Sequence, residues 1–109
     1  MRKTYIGELE EVVLLTVAIL QEEAYGVAIT QYIDNHLERK LSISAIHATL
    51  HRLSEKGYVD SDMGGATTER GGRRKRYFKV TTAGSRVLND IQDARNLLWG
   101  QIPPNALSI

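Results

Sequence analysis

No cysteine occurs among the 109 residues of this chain. That absence excludes a disulfide framework, thiolate catalysis and any thiolate metal site. It fits a reducing compartment, and a cytoplasmic location is expected. Long apolar runs are missing as well. The stretch from Val12 to Leu20 is far shorter than the roughly 20 residues a membrane span needs, so no membrane partner is expected. Nor does the opening MRKTYIGELEEVVLLTVAIL read as a secretory signal. Glu8, Glu10 and Glu11 stand where the apolar region should begin, and no small-residue cleavage site follows Leu20. The segment reads as a buried helix. Catalytic signatures are lacking too: there is no GxSxG elbow, and GGATTERGGRRK is neither GxGxxG nor a P-loop. The carboxylates are scattered over helix ends and polar faces, so neither an enzyme nor a cofactor is expected.

Net charge is low, only +1, but it is unevenly spread. Between Glu69 and Lys79 stand six basic residues and one acid, a local charge of +5 that leaves −4 for the rest of the chain. A basic patch on an acidic body is a directed electrostatic feature. The length suits one domain whose core has little to spare, which favours a partner subunit.

What is present is mostly helical periodicity. Leu9, Val13, Val17 and Leu20 fall on one helical face, and Val12, Leu15 and Ile19 on a second. A helix apolar on more than one face is buried centrally or shared with a partner. AYGVAITQYIDNHL carries Ile29, Ile33 and Leu37 at helical spacing, with Tyr25-Gly26 at its opening. SISAIHATLHRLSEKG forms a third helix, capped by Ser42 or Ser44 and ended by Gly57. Its apolar stripe is Ile46, Leu50 and Leu53; the opposite face carries Ser44, His47, Ala48, His51, Arg52 and Glu55.

After Gly57 the period changes to two. YVDSDM and RYFKV read as strands of a long-tipped hairpin, with Arg76, Phe78 and Val80 on one face and Tyr77 and Lys79 on the other. Thr81 or Thr82 then caps a last helix with a stripe of Val87, Ile91, Ala94 and Leu98, and Pro103-Pro104 ends it. The predicted fold is mainly α with a small β-hairpin: a winged helix-turn-helix domain over residues 1–80 with its wing at 58–80, a last helix over 81–100, and a flexible tail over 101–109.

This arrangement suits DNA. Lys and Arg side chains displace the counterions of backbone phosphates, and glycines let a loop approach closely. Arg70, Arg73, Arg74, Lys75 and Arg76 meet that need at the hairpin tip. The second helix of a helix-turn-helix enters the major groove, where small and hydrogen-bonding residues are required; Ser44, His47, Ala48, His51 and Arg52 supply them, with Ser42 and Tyr25 beside them. His47 and His51 have a zinc-compatible i, i+4 spacing, but HATLH lacks the glutamate of HExxH and a third ligand, so no metal is expected. The single tryptophan, Trp99, can stack on a ligand, anchor a subunit contact or pack internally.

AYGVAI at 24–29, SAIHATLHRLSEKGYV at 44–59 and ERGGRRKRYFKVTTAG at 69–84 together resemble the PadR family of transcriptional regulators, over about Gly7 to Trp99. The resemblance implies a winged helix-turn-helix homodimer that binds a near-palindromic operator on double-stranded DNA, usually as a repressor. It implies dimerisation through the helix after the wing, with the first helix contributing. Leu9, Val12, Val87, Ile91, Leu98 and Trp99 are the candidate dimer and ligand residues, the ligand being a small hydrophobic or aromatic effector that releases DNA. The brief tail matches the short subfamily. The chain departs from the family where it has His47 and Ala48 in place of the usual tyrosine and proline. The alternative from the residues alone is a winged-helix module whose basic wing meets an acidic protein.

Overall fold

In the structure, a computed structural model that describes residues 6–64 and 75–108, the apolar run becomes α1 (Glu8–Leu20). Its N-cap is Gly7, whose N–H donates to the Glu10 carboxylate one turn ahead at 2.7 Å. Three acids, Glu8, Glu10 and Glu11, occupy the first turn, where the helix dipole favours negative charge. Val13, Leu14 and Val17 are fully buried, but Leu15 and Ile19 are 43% and 53% exposed. The helix is therefore buried along one side only, and its second apolar face is open in the single chain.

A 3-10 turn (Gln21–Glu23) leads to α2 (Gly26–Leu37), which buries Ile29 and Ile33. It ends at Glu38 in the left-handed conformation, with φ 51°. Of the two serines that can cap α3 (Ile43–Glu55), Ser42 does so: its Oγ accepts from the Ala45 amide at 3.0 Å. Ser44 is thereby left facing outward. Ile46, Leu50 and Leu53 enter the core as their spacing predicts. Thr49 enters with them, its hydroxyl satisfied by the Ala45 carbonyl at 2.8 Å. Gly57 stops the chain with φ 81°.

Strands β1 (Val59–Gly64) and β2 (Lys75–Val80) pair antiparallel from Val59↔Val80 to Gly64↔Lys75. Val59 and Phe78 point into the core. The other edge of β2 is not free. The Phe78 amide donates to the Ala24 carbonyl at 2.8 Å, and Tyr25 forms a bridge with Tyr77. The connection between α1 and α2 thus acts as a minimal third strand that roots the hairpin.

Helix α4 (Thr82–Gly100) is tied down at its start. The Thr81 hydroxyl accepts from the Gly84 amide at 3.0 Å and donates to the Gly57 carbonyl at 2.7 Å. It caps the helix and clamps it to the turn after α3. Gly84 then lies against the Tyr58 carbonyl, where an added Cβ would sit 2.3 Å from the oxygen. Leu88 and Ile91 still pack against the core, while the last residues of the helix, Leu97, Leu98 and Trp99, are each more than 60% exposed.

Ion pairs join these elements to the first turn of α1. Glu8 takes Arg39 of the α2–α3 connection at 2.8 and 3.0 Å, and Glu11 takes Arg95 of α4 at 2.8 Å. Glu10, with its side chain only 7% exposed, accepts two bonds from Lys56 Nζ at 3.0 Å and lies 3.5 Å from Arg52 Nε. Burial pushes the Glu10 pKa up, but the Gly7 amide, Lys56 and Arg52 together outweigh it and hold the carboxyl below its ordinary 4.5.

Two outcomes test this packing. Gly84→Ala should lower stability by about 1–3 kcal/mol in urea unfolding, although alanine favours a helix by about 1 kcal/mol; an unchanged midpoint would mean the Tyr58 carbonyl yields freely. A carboxyl whose pKa falls on folding stabilises above its unfolded pKa and loses that contribution as pH drops through the folded one. Glu10→Gln should therefore cost about 2 kcal/mol at neutral pH. The difference from wild type should shrink as pH falls below 4.5. A constant gap between the two melting curves at every pH would show that Glu10 ionisation is not what matters.

Candidate nucleic-acid interface

Because Ile46, Leu50 and Leu53 fix one side of α3 in the core, the opposite side must face solvent. Ser44, His47, Ala48 and His51 are exposed there at i, i+3, i+4 and i+7. The His47 ring lies against α2's first turn: a Cβ on Gly26 would stand 2.8 Å from its Nε2. Glycine at position 26 therefore lets the two helices approach, and brings the N-terminus of α2 beside the exposed face of α3. His51 Nε2 lies 3.4 Å from the Glu55 carboxylate one turn on.

Tyr25, immediately before Gly26, links this face to the wing. It is half-buried. Its ring meets Tyr77 edge-on at 5.6 Å, and Lys75 Nζ sits 4.2 Å above it, a cation–π contact that holds the ammonium at the root of the hairpin. Arg76 emerges on the other hairpin face and donates to Ser61 Oγ at 2.9 Å. Ser42 lies at the margin, its hydroxyl engaged as the cap of α3. Arg70, Arg73 and Arg74, the rest of the basic run, lie outside the described residues.

Arg52, expected on the same face, turns the other way. Its guanidinium donates to Thr49 Oγ1 at 3.2 Å and approaches Glu10. It stands one step round the helix from His51, close enough to the core boundary for a buried acid to capture it. Two side chains to which the sequence reading gave no role, Ile43 and Val27, are exposed near Gly26, at 41% and 49%. The i, i+4 relation of Ile43 to His47 was the available signal.

The six candidate dimer and ligand residues differ in exposure. Val87 is buried, Leu9, Val12 and Ile91 are half-buried, and only Leu98 and Trp99 stand free. A groove of about 530 Å³ does run between α1 and α4, lined among others by Glu11, Leu15, Leu88, Gln92, Arg95 and Trp99. Among the described residues there is no cluster of three or more potential metal ligands, and no helix long and apolar enough to cross a membrane.

Comparison with known proteins agrees with this geometry. The model of the transcriptional regulator PadR-like family matches residues 14–90. No curated protein matches the chain. Among solved structures, a PadR family transcriptional regulator from Eggerthella lenta DSM 2243 superposes with a TM-score of 0.66 at 24% identity, over 85% of this chain and 80% of that one. A PadR family transcription regulator from Clostridium difficile R20291 gives 0.62 at 23%, over 82% and 91%. A PadR-like transcriptional regulator from Bacillus cereus strain ATCC 14579 gives 0.67 at 21%, over 84% of each chain. At these identities the superpositions establish the shared fold, and the family model carries the assignment. With well over half of its length matched, the chain belongs to the PadR-like family of transcriptional regulators, winged-helix DNA-binding proteins and not enzymes.

Proposed function

We propose that this protein is a dimeric repressor that recognises a near-palindromic operator. The observation that carries the reading is the convergence, around Gly26, of three elements able to meet DNA: the exposed face of α3, the first turn of α2 and the root of the basic wing. Ser44, His47, Ala48 and His51 enter the major groove. Lys75 and Arg76, continued in sequence by Arg70, Arg73 and Arg74, meet phosphates or the adjacent minor groove. Tyr25 steadies Lys75. Repression is by occlusion of polymerase.

The second subunit covers the open side of α1 and the end of α4. Leu15, Ile19, Leu97, Leu98 and Trp99, each 43–65% exposed, supply the apolar surface for it. Two heads so joined reach successive major grooves about 34 Å apart. The α1–α4 groove beside Trp99 is the place for a small hydrophobic or aromatic effector. Such a ligand releases DNA only if it binds the incompetent form of the dimer better than the competent one.

Selection of random duplexes on the purified protein, at two salt concentrations, tests the proposal. An enriched inverted repeat with half-sites one turn apart supports it. Salt-sensitive retention without an enriched sequence indicates a non-specific binder, and no retention at either salt favours a wing that meets an acidic protein.

Two variants separate the roles of the site. Lys75→Ala should weaken binding to operator and random DNA alike and reduce the slope of log affinity against log salt by about one; an unchanged slope removes Lys75 from the phosphate contacts. His51→Ala should weaken operator binding more than random binding. Arg52→Ala, by contrast, should leave that preference intact while lowering stability by up to about 1 kcal/mol. A loss of preference in Arg52→Ala would show that the guanidinium leaves Glu10 for DNA.

A further inference from the structure

The exposed face of α3 lacks the side chains that read bases by two hydrogen bonds at once. Arginine or lysine on guanine, and asparagine or glutamine on adenine, are the two-point contacts of the major groove. From Ile43 to Glu55 the chain has no lysine, asparagine or glutamine, and a single arginine, Arg52. That arginine is committed to Thr49 Oγ1 and to the buried Glu10 carboxylate. Lys56, the next residue that qualifies, also donates to Glu10, through two bonds.

Besides the Glu55 carboxylate at its end, the face offers one hydroxyl, two imidazoles and apolar groups. Ser44 is short. His47 rests against Gly26, and His51 lies beside Glu55; each imidazole makes single-point contacts. At the centre, one turn from Ser44 and from His51, stands the methyl group of Ala48, exposed. Ile43 adds a second exposed apolar group in the first turn, the part of a recognition helix that contacts base edges. Among the four DNA bases, thymine presents a methyl group in the major groove.

We infer that this chain reads its half-site chiefly through thymine C5-methyl groups, packed against Ala48 and, at the helix start, Ile43. The inference rests on the reading of the protein as a sequence-specific operator binder, and names what that binding surface recognises. It makes the half-site rich in thymine on the strand facing α3. It also accounts for the residue types present: alanine at position 48 leaves room for a methyl group, and Ser44 with the two histidines borders it without competing for the same base edge.

The test uses the full chain and two random-sequence duplex libraries, one made with thymine and one with uracil throughout the randomised segment. Uracil pairs like thymine but lacks the methyl group. The thymine library is expected to enrich a half-site with thymine at one or two fixed positions. Uracil at each of those positions should weaken binding about fourfold per methyl group lost. In Ala48→Gly, thymine and uracil at the position facing residue 48 should bind equally well. The uracil substitutions alter only the DNA, so the test stands even if that variant folds poorly. The same motif enriched from both libraries, with equal affinities, would overturn the inference and leave operator recognition intact. Enrichment from neither library would overturn operator recognition, and the inference with it.

Discussion

The seating of α3 depends on one carboxylate. Glu10 is buried at the start of α1, and an ion in such a place is tolerated only if its charge and lone pairs are satisfied. The Gly7 amide, Lys56 and Arg52 do this together. Each partner fixes something different. Gly7 sets where α1 begins, Lys56 holds the end of α3, and Arg52, the one arginine of α3, is drawn toward the body. With Arg52 drawn aside, the outward face has Glu55, beside His51, as its one formal charge. The pairing keeps the one arginine of α3 turned toward Glu10 and Thr49. Glu8 with Arg39 and Glu11 with Arg95 extend the same turn to the α2–α3 connection and to α4, but these pairs are more exposed and contribute less.

The wing's orientation relative to α3 is set by three consecutive residues, Ala24 to Gly26. Ala24 accepts from Phe78, Tyr25 packs on Tyr77 beneath Lys75, and Gly26 receives His47. One short segment thus touches both parts of the surface, so the described root of the wing is held in register with α3. On the far side, Thr81 and Gly84 clamp α4 to the turn after α3.

Much of this was legible in the sequence, because periodicity and caps are local. The stripe Ile46, Leu50 and Leu53, the stop at Gly57, the change of period at the hairpin and the cap at the start of α4 all follow from residues within one or two turns of each other. What was not legible is long-range. The Tyr25–Tyr77 bridge joins residues 52 positions apart with a single pair, too short for any alternation to show. Arg52 reads as an outward residue until a glutamate 42 positions earlier is known to lie beneath it. The apolar run of α1 looks buried all round because hydropathy cannot say which side of the helix the core covers. The basic tip was plain from composition alone, and Arg70, Arg73 and Arg74 remain a reading of sequence.

This distribution of charge divides the work in the proposed complex. Wing cations supply affinity that depends on salt and is largely indifferent to sequence, while a nearly neutral α3 supplies discrimination through single hydrogen bonds and methyl contacts. Such contacts are individually small, and a mismatched base costs only about 1–3 kcal/mol even at a well-read position. One head of this kind cannot separate an operator from the many competing sites of a genome. Two heads reading the same half-site in opposite senses double the discriminating free energy, so their specificity ratios multiply. In that proposed complex a helix with so few strong readers gains most from a second copy of itself at a fixed spacing, and the apolar surface open on α1 and α4 is the place proposed for it.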